Sequence, residues 1–139
     1  MFDKKKSPQP KRIDSLIAAG TIVEGNVTFA GGLRIDGVVN GKVATVDDQP
    51  GTLVLSEHAR IEGEARVSHM VINGLVNGPV AAGEHLELQA KARVNGDVVY
   101  RTLEMHVGAV VQGKMTHAEQ ESAAVVELKR AAGDAAAPR

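Results

Sequence analysis

The stretch Val94-Asn95-Gly96-Asp97-Val98 places a glycine between two valines, with one residue separating it from each. The same apolar–x–Gly–x–apolar order occurs six times, and the other copies occupy residues 23–27, 39–43, 61–65, 76–80 and 111–115. Successive glycines are separated by 16, 22, 15, 18 and 17 residues. A recurrence of this length indicates a solenoid, in which each repeat buries its apolar face by stacking on its neighbours.

Around these copies, apolar residues alternate with other residues. The residues expected to face inward are odd-numbered over residues 33–43 and even-numbered over residues 70–98. Successive side chains of a strand point to opposite faces, so the alternation predicts strands with one buried face, and the parity changes mark corners. A repeat of roughly 17 residues then predicts about three parallel strands per turn. The long interval between Gly41 and Gly63 contains Asp47-Asp48-Gln49-Pro50-Gly51, which we predict to be an outward loop.

Composition excludes several classes of protein. The 139 residues include 16 Lys and Arg against 17 Asp and Glu, so a net charge of −1 gives no bulk electrostatic basis for binding nucleic acid. Cysteine is absent, which excludes disulfides and thiolate metal sites. No stretch approaches the roughly 18 apolar residues of a membrane span, and no apolar stretch follows the N-terminal lysines as in a secretory signal. We therefore expect a single cytoplasmic domain.

The repeated coils, the short polar tails and the start Met1-Phe2-Asp3-Lys4 resemble the bactofilins, a family of bacterial polymer-forming cytoskeletal proteins. The resemblance extends over residues 13–116. It implies an all-β fold, a single right-handed triangular β-helix (a parallel β-solenoid) of about six windings, flanked by disordered tails. The expected boundaries are 1–20 for the N-terminal tail, 21–116 for the β-helix polymerisation domain and 117–139 for a disordered or weakly helical C-terminal tail.

The resemblance also implies a function. It predicts a protein that assembles end to end with itself, without nucleotide, into non-polar filaments on the inner face of the cell membrane. Such filaments serve as a scaffold for cell-shape factors, for cell-wall synthases or hydrolases, or for chromosome-segregation factors. On this basis we expect no enzymatic activity, no cofactor, and no nucleotide or nucleic-acid partner.

The two ends of the solenoid are the expected sites of association. A terminal coil leaves a column of apolar side chains and its strand edges uncovered unless a cap follows. Residues 13–20 offer only a partial cap for the first coil, and no apolar cap follows Met115. The predicted polymer interface consists of apolar residues of both end coils: Ile22, Val23, Val27, Phe29, Leu103, Met105, Val107, Val111 and Met115. A lateral apolar strip is a second hypothesis, based on four outward-facing residues: Val38, Val71, Leu75 and Val110.

The N-terminal tail is predicted to contact the membrane through Met1, Phe2, Lys4, Lys5 and Lys6. Each lysine near an anionic leaflet contributes about 1 kcal/mol, and the aromatic ring adds some apolar burial. One such tail binds weakly, whereas a filament that presents many tails gains avidity. The alternative is a solubilising terminus with no membrane role.

No catalytic, cofactor-binding or metal site is predicted. None of the histidines is paired at the i, i+4 spacing of a helical zinc site. The five histidines are His58, His69, His85, His106 and His117. No phosphate-binding loop or nucleophile elbow is present. Two alternatives stay open. One is a left-handed hexapeptide-repeat acyltransferase trimer, whose strict period this chain lacks, and the other is a scaffold that does not polymerise.

Overall fold

The computed structural model describes residues 13–118, which contain sixteen β-strands wound into a parallel solenoid. Each turn contributes one strand to each of three faces. Face A contains β1 (Ser15–Ile17), β4 (Gly31–Ile35), β7 (Gly51–Leu55), the second halves of β9 (Ala65–Ile72) and β11 (Val80–Leu88), and β14 (Thr102–Met105). Face B contains β2 (Ile22–Glu24), β5 (Val38–Asn40), β8 (Arg60–Glu62), β10 (Leu75–Asn77), β12 (Arg93–Asn95) and β15 (Val110–Gln112). Face C contains β3 (Val27–Phe29), β6 (Val43–Thr45), the first halves of β9 and β11, β13 (Val98–Tyr100) and β16 (Met115–His117).

The strands define six coils, which we number from the N-terminus. Coil 1 is β1–β3 and coil 2 is β4–β6. Coil 3 is β7, β8 and the first half of β9, coil 4 is the second half of β9, β10 and the first half of β11, and coil 5 is the second half of β11, β12 and β13. Coil 6 is β14–β16. All the strand pairs are parallel and join one coil to the next. The predictions of an all-β solenoid and of about six windings are therefore confirmed, while the right-handed sense of the helix stays a prediction.

The core is a column of aliphatic side chains enclosed by the three faces. The register places Leu33, Leu53, Met70 and Leu86 in one row along the axis. All four are buried, as are their neighbours two residues further along each strand, Ile35, Leu55, Ile72 and Leu88. The intervening residues point outward, which confirms that the period-two alternation marked the buried face.

The repeated glycines are explained by close approach of the backbones of neighbouring coils. A Cβ built on Gly41, Gly63, Gly78, Gly96 or Gly113 comes within 3.0 Å of the carbonyl oxygen of the repeat glycine one coil earlier. Gly63 and Gly78 also have φ angles of 151° and 155°, which L side chains rarely adopt. The glycines thus stack into a ladder along the edge between faces B and C, where any side chain would hold two coils apart.

The boundaries differ from those predicted. The first strand begins at Ser15 and pairs in register with β4, so residues 15–20 belong to coil 1 although they were expected to be part of a tail. At the other end β16 extends to His117. The predicted loop between Gly41 and Gly63 is present as a 3-10 turn, Val46–Asp48, in which Asp47 has a left-handed φ of 49°. The remaining predictions for the two tails concern residues 1–12 and 119–139, which lie outside the described residues.

Candidate functional site: the two ends of the solenoid

The last coil leaves its inward column incompletely covered. In coil 5 the inward column contains four fully buried residues with 0% exposure: Leu86, Leu88, Val94 and Val98. Their register partners in coil 6 are Leu103, Met105, Val111 and Met115. Three of these partners are half-buried against the core, and Met105 is 45% exposed. We call these four residues of coil 6 the C-terminal end surface.

Val107 lies at the rim of this surface. It occupies the turn between β14 and β15, in which the Ala109 amide donates a hydrogen bond to the His106 carbonyl oxygen at 3.2 Å. The side chain of Val107 is 96% exposed. A single exposed apolar residue is common on protein surfaces, so the role of Val107 in the interface stays a prediction.

The first coil is uncovered in the same way. Val23 and Val27 are half-buried and pack against the core from one side. Phe29, in contrast, is 7% exposed and belongs to the core of the chain itself. Ile22 is 61% exposed, but its register partner is the outward-facing Val38, so it lies on the outer side of face B.

Sequence reasoning missed Ile17, which completes the column at the first coil. It pairs with Ile35, is half-buried and packs against the core. The signal was present, because Ser15 and Ile17 share their parity with Leu33 and Ile35, eighteen residues later in the register. We call Ile17, Val23 and Val27 the N-terminal end surface.

Both ends also present open strand edges. Within residues 13–118, β1, β2 and β3 pair with coil 2 alone, and β14, β15 and β16 pair with coil 5 alone. Each end therefore offers three rows of backbone N–H and C=O groups beside an apolar column. An edge of this kind is a template for a strand from another chain.

The sides of the solenoid are polar along much of face B. Asn40 donates to Glu24 at 3.1 Å, Asn77 donates to Glu62 at 3.0 Å, and Asn95 donates to the Asn77 side-chain oxygen at 2.7 Å. Such a ladder ties neighbouring coils together while leaving the outer side solvated.

Two carboxylates on the sides are held in their charged form. Hydrogen bonds from Arg60 and then from Asn77 lower the pKa of Glu62 below its usual 4.5. The Ser56 hydroxyl, and after it Arg34, lower the pKa of Asp36 below 3.8, although partial burial opposes this effect. Both groups are therefore anionic at neutral pH, as expected of a surface in contact with water.

The four residues of the hypothetical lateral strip do not form a continuous patch. Val38, Leu75 and Val110 share one row on face B, but Arg60 and Arg93 lie between them in the register. Val71 lies on face A, beside Glu87. The described apolar surfaces that combine with open backbone edges are therefore those at the two ends.

The residues predicted to contact the membrane, Met1, Phe2, Lys4, Lys5 and Lys6, lie outside the described residues. Within residues 13–118, no helix has the length and apolar character needed to cross a bilayer.

Comparisons with known proteins agree with this architecture. Residues 15–116 match the family described as Bactofilin, polymer-forming cytoskeletal, and the match begins at the first residue of β1. Among curated proteins the chain is similar to Bactofilin BacO of Myxococcus xanthus (strain DK1622), with 24% identity over 102 residues that cover 73% of this chain and 78% of that protein. No solved structure matches the chain.

Proposed function

This chain belongs to the bactofilin family of polymer-forming cytoskeletal proteins, and we propose that it forms filaments by stacking the end coils of neighbouring molecules. The observation that carries this proposal is the combination of a half-buried apolar column with three open strand edges at each end. Stacking one end on another extends the apolar column and the backbone pairing of the solenoid from one molecule to the next. It needs no nucleotide, because the association comes from apolar burial and backbone pairing.

The proposed filaments are non-polar, with like ends meeting. Each junction of this kind places two copies of the same end surface against each other, so every residue in the contact counts twice.

We further propose that the N-terminal tail attaches the filaments to the inner face of the cell membrane, which places the protein in the cytoplasm. Lys4, Lys5 and Lys6 supply attraction to anionic lipid, and Met1 and Phe2 supply apolar burial. Each tail alone binds weakly, and polymerisation multiplies the number of tails on one object. Deletion of residues 1–12 is expected to abolish co-sedimentation of filaments with vesicles containing phosphatidylserine while leaving the filaments intact. Equal binding of the deleted and full-length chains would contradict this attachment.

The filament is proposed to act as a scaffold for cell-shape or cell-wall factors, including synthases and hydrolases. A membrane-bound filament presents the same side-chain rows at regular intervals, which suits the recruitment of several partner copies. The family is a structural one, and the proposed role is structural, not enzymatic.

Negative-stain electron microscopy of the untagged full chain, without nucleotide or metal and at moderate salt, tests the assembly. We expect filaments a few nanometres wide. Monodisperse monomers would contradict the proposal and favour a scaffold that does not polymerise, and a discrete trimer would favour the acyltransferase-like alternative.

A further inference from the structure

Face A carries two histidines and two glutamates side by side on coils 5 and 6. His85 and Glu87 are two residues apart on β11, and the buried residues Leu86 and Leu88 alternate with them, so both point outward. Glu104 of β14 is the register partner of Glu87. One donor atom from each of His85, Glu87 and Glu104 lies within 4.8 Å of the other two.

His106 closes this group from the corner that follows β14. Its Nε2 atom lies 3.1 Å from Glu87 Oε2 and 3.4 Å from Glu104 Oε2. Gln89 Nε2 also donates to Glu87 Oε2 at 3.2 Å. His106 therefore contacts both glutamates of the group, and two of these four side chains come from each coil.

The two carboxylates repel each other in this arrangement. Glu87 and Glu104 are direct neighbours on adjacent strands, where like charges destabilise the pairing. In the part of the chain that the structure describes, the ion pairs of both glutamates are to His106, and neither pairs with a lysine or an arginine. A cation bound between the two glutamates would offset this repulsion.

The hydrogen bonds of His85 leave a lone pair free for a metal. The Thr102 hydroxyl donates its proton to the Glu84 carbonyl oxygen at 3.1 Å. The same hydroxyl lies 2.5 Å from His85 Nδ1. When its proton is on the Glu84 carbonyl oxygen, the hydroxyl accepts from Nδ1–H and the neutral imidazole has its lone pair on Nε2. A ring nitrogen that donates to a fixed oxygen while the other faces a ligand is the usual arrangement of a metal-binding histidine.

We propose that His85, Glu87, Glu104 and His106 bind a divalent transition-metal ion, with Zn²⁺ as the ion that fits best. Imidazole nitrogen and carboxylate oxygen are both Zn²⁺ ligands. His85, Glu87 and Glu104 have donor atoms close enough together to share one ion, and His106, which contacts both glutamates, would complete a tetrahedral site. Mg²⁺ and Ca²⁺ prefer all-oxygen sites and are disfavoured by the two imidazoles. To bind the ion through Nε2, His106 takes the neutral tautomer whose ring hydrogen is on Nδ1.

The bound ion joins coil 5 to coil 6. His85 and Glu87 come from coil 5, and Glu104 and His106 come from coil 6, whose strands are paired on one side only in the described structure. The site therefore acts as a clamp on the terminal coil. It is independent of the proposed filament, because all four ligands belong to one chain.

Isothermal titration of the untagged full chain with ZnCl₂ tests the site. We expect one saturable Zn²⁺ site per chain, and an affinity reduced at least about 10-fold by His85→Gln or Glu104→Gln. Thr102→Val removes the hydroxyl that contacts His85 Nδ1 and is expected to weaken binding by about 10- to 100-fold without removing a ligand. His58→Gln is the matched control, because His58 belongs to the earlier coil 3 and pairs there with Glu57, and it is expected to leave binding unchanged.

Two further measurements use the unaltered chain, so they test the site even if a variant fails to fold. Co²⁺ in place of Zn²⁺ is expected to give the intense visible bands of a four-coordinate site, and Zn²⁺ is expected to slow amide hydrogen exchange in β14 and β15. The absence of a saturable site would overturn the proposal. Unchanged binding by both His85→Gln and Glu104→Gln would also overturn it, since the ion would then lie elsewhere on the chain.

Discussion

Val110 and Val111 are neighbours on β15 that face opposite ways, and they provide a matched test of end-to-end assembly. Val111 is half-buried in the C-terminal end surface and pairs with the fully buried Val94. Val110 is 39% exposed on the outer side of face B, in register with Arg93. Val111→Glu places a carboxylate where a neighbouring molecule is proposed to stack, and Val110→Glu places the same charge one residue away on the side of the solenoid.

The magnitude follows from the burial in coils 5 and 6. Full burial of a Val, Leu or Met side chain contributes about 1.5–3 kcal/mol, and about half of this is already gained in coil 6. Covering the four residues of the C-terminal end surface therefore contributes roughly 3–6 kcal/mol for each of the two copies that meet, before the costs of association. A glutamate at position 111 forfeits part of this contribution and adds a desolvation penalty of several kcal/mol. We expect Val111→Glu to raise the critical concentration for assembly at least about 100-fold, since about 1.4 kcal/mol corresponds to tenfold.

The assay is sedimentation over a range of protein concentrations, with electron microscopy of the pellets and circular dichroism of the supernatants. Val110→Glu is expected to assemble like the unaltered chain, and Val111→Glu is expected to stay in the supernatant with its β-strand signal retained. Met105→Glu serves as a second end variant, because its more exposed side chain makes unfolding of the monomer a smaller concern. The reasoning is refuted if Val111→Glu and Met105→Glu assemble normally, or if Val110→Glu alone prevents assembly, which would move the contact to the side.

Three further predictions concern the fold. Gly78→Ala is expected to lower the free energy of unfolding by about 2–5 kcal/mol through backbone strain and a clash with the preceding coil. Gly83→Ala should change it little, because the added Cβ would have no neighbour closer than 3.7 Å. Thermal denaturation checks both. Leu86→Ala is expected to cost about 2–5 kcal/mol and Leu103→Ala clearly less, because only the former is fully buried; equal costs in urea denaturation would show that coil 6 is covered. Folding lowers the pKa of Glu62 from 4.5, so the stabilisation of the fold by its carboxylate is present above that pH and is lost as the pH falls below it. In urea denaturation, Glu62→Gln should therefore destabilise the fold less at pH 3 than at pH 7. An equal effect at both pH values would contradict the pKa shift.

Most of the fold can be predicted from the sequence because its two determinants are local. Alternation selects the residues that face inward, and the repeat glycine is required wherever two coils approach at the edge of faces B and C. The first strand was not predicted because it lacks these local signals. Ser15, Leu16 and Ile17 contain a single inward apolar residue and no repeat glycine, and their place in coil 1 depends on pairing with β4. That pairing is a tertiary interaction, which a local pattern does not contain.

The end surfaces were predictable in part. Grouping Ile22 with Val23 overlooked that neighbours on a strand face opposite sides, and the structure places Ile22 outside. The histidine and glutamate group was not predictable from residue spacing along a helix, because its members come from two coils. The pairing of β11 with β14 that brings them together is a tertiary interaction, which becomes visible only once the coils are aligned in space.

The two proposals meet at coil 6. Stacking on this coil requires that its strands keep the register that presents the C-terminal end surface, yet in the described structure they are held from one side only. A metal ion bound by Glu87 and Glu104 would fix β14 against β11 and so reduce the ordering cost that assembly must overcome. Zn²⁺ is therefore expected to lower the critical concentration of the unaltered chain and to have no such effect on Glu104→Gln. If Zn²⁺ binds at the site but leaves both the critical concentration and the exchange of β14 unchanged, coil 6 is already rigid, and the end surface is formed before any partner arrives.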